Sequence, residues 1–543
     1  MRGMLLLTGA TVWTGTGELL RPGTVAVASG RIASVEQGGG TRPAGTDEVI
    51  DLTGCTLLPG FQDGHVHPGD GGLRRRRCDL SVTTDGEHGY VAAVAAYAHA
   101  HPNAPWIVGD GWLMPDFPGG LPRRQALDTV VADRPVFLVN ADGHGAWVNS
   151  RALEVAGVTA QTADPQDGRI ERDPDGTPTG ALHEGAMELV SRHMPAPEPG
   201  ELRAALLDAQ RHLHALGITA WTDASITPAD QAAYQALADA GELTARVTAA
   251  LWWDRQRGLE QIADLVTRRA AIRGDRLTAS TVKIMQDGVV ENATAAMLDP
   301  YLDASGVPTG DVGLSYVAPT LLAEAVTRLD RLGFQVHVHA IGDRAIREAL
   351  DAFAAARRAG GTGDRRHTIA HVQVVDPDDL PRFADLDVVV TAQPLWAQPE
   401  PQMTDLTLPV LGHRRGGWQY PWASLLRSGA PLAFGSDWPV SSADPLQGIA
   451  VAIDRIGPDT PGGAQPFLPA ERLTLDEALR AATSGSAHLH HLDDRTGTIA
   501  VGKEADLTVV GAPLFGDGAC PPAEARVVLT LVAGETVYRE ASL

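Results

Sequence analysis

The sequence predicts an α/β fold: a (β/α)8 TIM barrel, with a small β-sandwich built from both chain ends and a subdomain inserted after the first barrel strand. Three observations lead there. Eight short apolar runs, at residues 61–67, 218–224, 245–253, 280–286, 335–340, 367–375, 388–395 and 431–436, alternate with stretches of helical period such as 321–332. His65, His67, Lys283, His339, His371 and Asp437 stand at or near the ends of these runs, and a parallel barrel gathers such strand ends on one face. Finally, the two ends of the chain both read as short strands separated by Gly-rich turns.

In chain order, residues 5–9, 24–32, 49–52 and 56–59 are strand-like, and 505–510 and 525–538 match them at the other end, the latter around a Gly-Glu turn. Residues 1–58 and 488–543 are therefore expected to pair into one sandwich, with the barrel at 59–487 between them. The first barrel run is separated from the second by far more chain than a helix needs. That stretch holds Gly/Pro-rich segments and strand-like runs of its own at 106–109 and 136–139. It reads as a subdomain at about 70–199 over the barrel mouth, where loops carry function, with 195–199 as the linker back.

Composition narrows the function classes. A chain of 543 residues with 44% hydrophobic residues can bury a large core. A formal charge of −23 argues against nucleic acid or an anionic membrane as partner. The 3 cysteines, Cys55, Cys78 and Cys520, are too scattered for a disulfide framework or a Cys-rich zinc site. The first apolar run, 4–7, is shorter than a signal peptide requires, and no stretch of about 18 apolar residues occurs. The expectation is a cytoplasmic protein acting on a small molecule; the sequence leaves the oligomeric state open, and an exposed β domain could mediate a homodimer.

The chemistry lies in the strand ends. His65 and His67 are two apart on a strand, so both rings face one side and one cation can take both. His337 and His339 repeat the spacing; His339, nearer the C-terminal end, is the expected ligand, and His337 a hydrogen-bonded residue below it. His371 ends the sixth run, with a satisfied core histidine as its alternative. Asp437, after the eighth run, can bind a metal and serve as general base, or cap the next helix. Lys283 sits among apolar neighbours, where an ammonium is costly. Carboxylation by CO2 would make it a bridging ligand; pairing with Asp287 is the alternative.

Several longer motifs surround these residues: Leu58-Pro-Gly-Phe-Gln-Asp-Gly-His-Val-His67, Asp142-Gly-His-Gly-Ala-Trp-Val-Asn-Ser150, Val282-Lys-Ile-Met-Gln-Asp-Gly288, His339-Ala-Ile-Gly-Asp-Arg-Ala345, Gly435-Ser-Asp-Trp-Pro439 and Gly497-Thr-Ile-Ala-Val-Gly-Lys-Glu-Ala-Asp-Leu507. On them the chain resembles the amidohydrolase superfamily, within it the amidohydrolase-3 (YtcJ-like) branch that includes N-substituted formamide deformylases. The resemblance implies a first metal on His65, His67 and Asp437, a second on His339 and His371, and a carboxylated Lys283 bridging them. Some relatives work with one metal, so one or two divalent ions are expected, zinc by default.

The implied reaction is hydrolysis of a C–N bond in an amide, formamide or cyclic amide, with Asp437 moving the proton from water to the leaving nitrogen. His144, in the insert, is placed to contact substrate or transition state. Trp112, Trp252, Trp253, Trp396 and Trp438 fall near strand ends or in the insert; Trp112, Trp396 and Trp438 are expected to give a hydrophobic or aromatic substrate its walls. The run 74–77 of arginines reads as a solvated loop. The same centre could act on esters, carbamates or phosphotriesters, act as a lyase or isomerase, or serve a non-catalytic metal-binding regulatory protein.

Overall fold

The barrel strands form where the apolar runs place them. In the computed structural model, which describes residues 4–38, 45–360, 363–458, 460 and 464–543, they are Phe61–Val66, Ile218–Ile226, Arg246–Trp252, Leu277–Met285, Gln335–Ala340, Thr368–His371, Val389–Ala392 and Leu432–Phe434. Positions 1–3 and 39–44 of the expected 1–58 segment lie outside the described residues. The eight strands pair in parallel in sequence order. Several are buried along their whole length, which is why they read as near-continuous apolar runs rather than alternating ones.

The eighth strand returns to the first through the loop that follows it. Asp437 N–H donates to His65 O at 2.8 Å, and His67 N–H to Trp438 O at 2.8 Å. Register then levels the functional side chains: Lys283 is opposite His337, Met285 opposite His339, and Ala340 opposite His371. Helices cover the outside with one apolar stripe each. Pro319–Arg331, for instance, turns Leu322, Ala325, Val326 and Leu329 inward at the spacing of a single helix face.

Strands from both chain ends share one further sheet. Its order runs Glu535–Arg539, Val527–Val532, Leu507–Val510, Thr56–Pro59, Met4–Trp13, Leu19–Ala28, Arg31–Gln37, with Thr46–Asp51 also paired to Met4–Trp13. Leu7, Val12, Val25, Leu57, Leu507 and Leu529 give it a core of its own. It is tied to the barrel by a buried ion pair, Arg246 Nε to Asp506 Oδ2 at 2.7 Å.

The insert after the first barrel strand is built on a six-stranded sheet from Cys78–Asp79 to Pro178–Glu184. The chain rejoins the barrel at the helix Pro199–Ala215. Among the described residues no helix is long and apolar enough to cross a membrane, and the three cysteines are free.

Candidate active site

Each of the four candidate histidine ligands has its Nδ1 engaged by a different neighbour. His65 Nδ1 meets His337 Nε2 at 2.8 Å, and His67 Nδ1 meets Ser225 Oγ at 3.0 Å. His339 Nδ1 meets Asp287 Oδ1 at 3.2 Å, and His371 Nδ1 meets Gln393 Oε1 at 3.1 Å. Such partners set ring orientation and tautomer and leave Nε2 for the interior. Asp437 Oδ1 lies 3.1 Å from His67 Nε2 and 3.4 Å from His65 Nε2. Lys283 Nζ is 3.3 Å from His65 Nε2. One ligand atom each from His65, His371 and Asp437 fits within 4.8 Å of the others.

The donor set fits a divalent cation. His339 Nε2 and Asp437 Oδ1 are buried and have no hydrogen-bond partner, a costly state for polar atoms unless something else pairs with them. Burial, then the nearby Lys283, holds His65 well below the ordinary histidine pKa; burial and His144 do so for His339, and burial and His339 for His371. These three rings are held in the neutral form that ligation requires, whereas at His67 burial is outweighed by Asp437, which holds that ring above the ordinary value. Burial also pulls Lys283 down to about 7, against the pull of Asp437. Two ligand candidates sit in left-handed backbone conformations, His371 at φ 77° and Asp437 at φ 55°, where a non-glycine residue is strained and functional sites concentrate.

The model of the Amidohydrolase family matches residues 48–538. The chain belongs to the amidohydrolase family. It is 31% identical to Protein LONG AFTER FAR-RED 3 of Arabidopsis thaliana over 98% of this chain and 91% of that protein. It is 28% identical to the N-substituted formamide deformylase of Arthrobacter pascens over 98% of both. Among solved structures it resembles an uncharacterized metal-dependent hydrolase from Pyrococcus furiosus, with TM-score 0.70, 27% identity, and coverage of 93% of this chain and 98% of that one.

Above this amidohydrolase centre opens a cavity of about 1370 Å³, walled by barrel loops and by the insert. From the insert comes His144, whose ring is centred 5.5 Å from that of His339. Its Nδ1 meets Glu184 Oε1 at 2.8 Å, and the Thr294 hydroxyl donates to the same oxygen at 2.9 Å. Burial alone would neutralise both partners. The ion pair reverses this, raising His144 to about 9 and holding Glu184 at about 2.

Trp396 lines the cavity and stacks on His371, with centroids 5.2 Å apart and planes 9° apart; Trp252 lines it too. Trp112 and Trp438 do not, which corrects the expectation of substrate contacts there. Trp112 is 1% exposed and belongs to the insert's own core, edge-on to Phe117, its N–H given to Leu138 O at 3.0 Å. Trp438 is covered by the helix Pro68–Arg74, close enough that a Cβ on Gly71 would come within 2.3 Å of its ring. Trp253, 1% exposed, is also core.

The arginine run is not a freely solvated loop. Arg74 is buried and donates to Pro439 O, and Arg76 and Arg77 pair with Asp208 and Glu201 of the helix Pro199–Ala215. Asp287 does not pair with Lys283. It accepts from His339 and from the backbone N–H groups of Ile341, Gly342 and Ala296. Ser225, Gln393 and Glu184 were not singled out from the sequence. Ser225 and Gln393 sit on or just past barrel strands, where polar residues interrupt apolar runs. Glu184 carries only the weak mark of a polar pair, His183-Glu184, closing an apolar stretch.

Proposed function

We propose that the chain is a metal-dependent hydrolase of a C–N bond in a small amide, formamide or cyclic amide with a hydrophobic or aromatic portion. The convergence of Nδ1-anchored histidines and Asp437 on one buried point, with His339 Nε2 and Asp437 Oδ1 unpartnered, carries this reading. End-to-end similarity to a formamide deformylase supports the bond type. His65, His67 and Asp437 would hold one divalent ion and His339 and His371 a second, with zinc suited to nitrogen and carboxylate donors. When bound, the ions supply a Lewis acid that polarises a carbonyl and makes water acidic.

The chain's own residues do the rest. Asp437 accepts a proton from water and returns it to the leaving nitrogen. The His144 imidazolium, oriented by Glu184, donates toward the carbonyl oxygen as charge builds there. Lys283 Nζ, with a neutral fraction at neutral pH, could add to CO2, forming one N–C bond and releasing one proton; the resulting anionic carbamate would be a ligand for the ions. Trp396 faces the apolar part of the substrate.

The test is Asp437→Asn assayed on an amide and on an activated ester with the same acyl group. An amine leaving group needs protonation more, so amide turnover should fall further, by about 10²–10⁴-fold. Equal losses on both substrates would contradict the role given to Asp437.

A further inference from the structure

One stretch of the cavity wall carries two carboxyl groups without an ion pair among the described residues. Glu291, beyond the fourth barrel strand, and Glu400, in the loop that also bears Trp396, both line the cavity. The Thr407 hydroxyl donates to Glu291. Neither carboxyl group has an ion pair among the described residues; burial, then the neighbouring Glu291, raises Glu400 to about 7. Three other acids of the cavity do have partners: Asp110 has Arg74, Glu184 has His144 and Glu188 has the Gln256 amide.

Tyr420 is a second, independent sign. It is 2% exposed and lines the same cavity. It lies close enough to Glu291 and Glu400 for both to oppose its ionisation, after burial itself. Among the described residues nothing hydrogen-bonds to its hydroxyl. A largely buried tyrosine whose hydroxyl has no hydrogen-bond partner, beside two carboxyl groups without an ion pair, leaves these polar groups open to a ligand that can pair with them.

We infer that Glu291, Glu400 and Tyr420, with the Trp396 face beside them, form a subsite for a cationic group on the substrate: an ammonium or guanidinium carried on an apolar spacer. An organic cation satisfies each part. Its N–H groups pair with the two carboxylates and give the phenol oxygen a donor. Its charge lies favourably against the indole. Trp396, Leu395 and Met403 cover the spacer. This rests on the hydrolase reading above and names the substrate class within it.

The experiment uses the metal-loaded enzyme and two formamides of matched shape, N-benzylformamide and its 4-(aminomethyl) derivative, with kcat/KM for each. The ammonium-bearing compound should be preferred by roughly 10- to 100-fold, the value of a hydrogen bond to a charged group. The preference should shrink at high salt and collapse toward unity in Glu291→Gln/Glu400→Gln. No preference in the wild type, or a preference untouched in the folded double variant, overturns the subsite. Calorimetry with benzylammonium against benzyl alcohol separates it from the hydrolase reading. Tighter ammonium binding without cleavage of either formamide would retain the subsite and count against the formamide reading; equal binding of the two would remove the subsite whatever is cleaved.

Discussion

Asp287 is the residue whose loss should reveal most about how the centre is held. It is fully buried, and each of its oxygens accepts twice. Oδ1 takes Ile341 N–H at 3.0 Å and His339 Nδ1 at 3.2 Å; Oδ2 takes Gly342 N–H at 2.8 Å and Ala296 N–H at 2.9 Å. Asp287→Asn keeps the shape but turns an NH2 toward one of these pairs, leaving two buried donors unmet. At about 1–3 kcal/mol each the gross cost is about 2–6 kcal/mol. Burial already raises Asp287 to about 7 against its hydrogen bonds, so relief of that desolvation offsets part, and a net loss of about 2–3 kcal/mol is expected. His339 also loses the partner that fixes its ring, which should weaken metal binding about 10- to 100-fold. Denaturant unfolding of the metal-free protein gives the first number, and titration against a competing chelator the second. Reduced stability with unchanged metal affinity would refute the claim that Asp287 orients a ligand.

Three further outcomes follow from the packing and charge of the fold. Asp506→Ala strands the buried Arg246 guanidinium with Glu504 alone, and should cost about 3 kcal/mol in denaturant unfolding; a loss below about 1 kcal/mol would deny that this pair fastens the terminal sheet. Trp396→Ala should lower kcat/KM for aromatic substrates with little loss of stability, whereas Trp112→Ala should cost about 3–5 kcal/mol of stability and leave the preference among substrates as it was. The reverse pattern would mean the two indoles have been assigned to the wrong surfaces. Burial opposes ionisation of Glu171, yet His183 and Arg169 hold it at about 2, below its ordinary 4.5. Its contribution is therefore present above pH 4.5 and fades as pH falls toward 2. Stability measured against pH should show a shallower acid limb in Glu171→Gln; an identical limb removes Glu171 from the account.

What could be read from the sequence, and what could not, divides along physical lines. The barrel strands were visible because a parallel strand buried on both faces must be a short apolar run. The ligand candidates were visible because polar residues closing such runs stand out, and His65-Val-His67 shares one strand face. Their partners were hidden. Ser225, Gln393 and Asp287 act across strands, through a register that depends on how the barrel closes. Glu184 reaches His144 across an antiparallel pairing inside the insert, which no spacing in the sequence announces. Trp112 and Trp438 lie elsewhere than the sequence suggests for a related reason: which way an indole points in an irregular loop depends on the core beneath it. Trp112 fills the insert's own core, while Trp396 found His371.

The most direct test of the central claim is metal content per chain, measured by plasma mass spectrometry on the wild type and on Lys283→Ala, both purified without added metal. A bridged centre predicts close to two divalent ions in the wild type and one or none in the variant. One ion in both would make Lys283 structural and the centre mononuclear. A well-folded wild type that binds none, even with zinc or manganese supplied, would contradict the account.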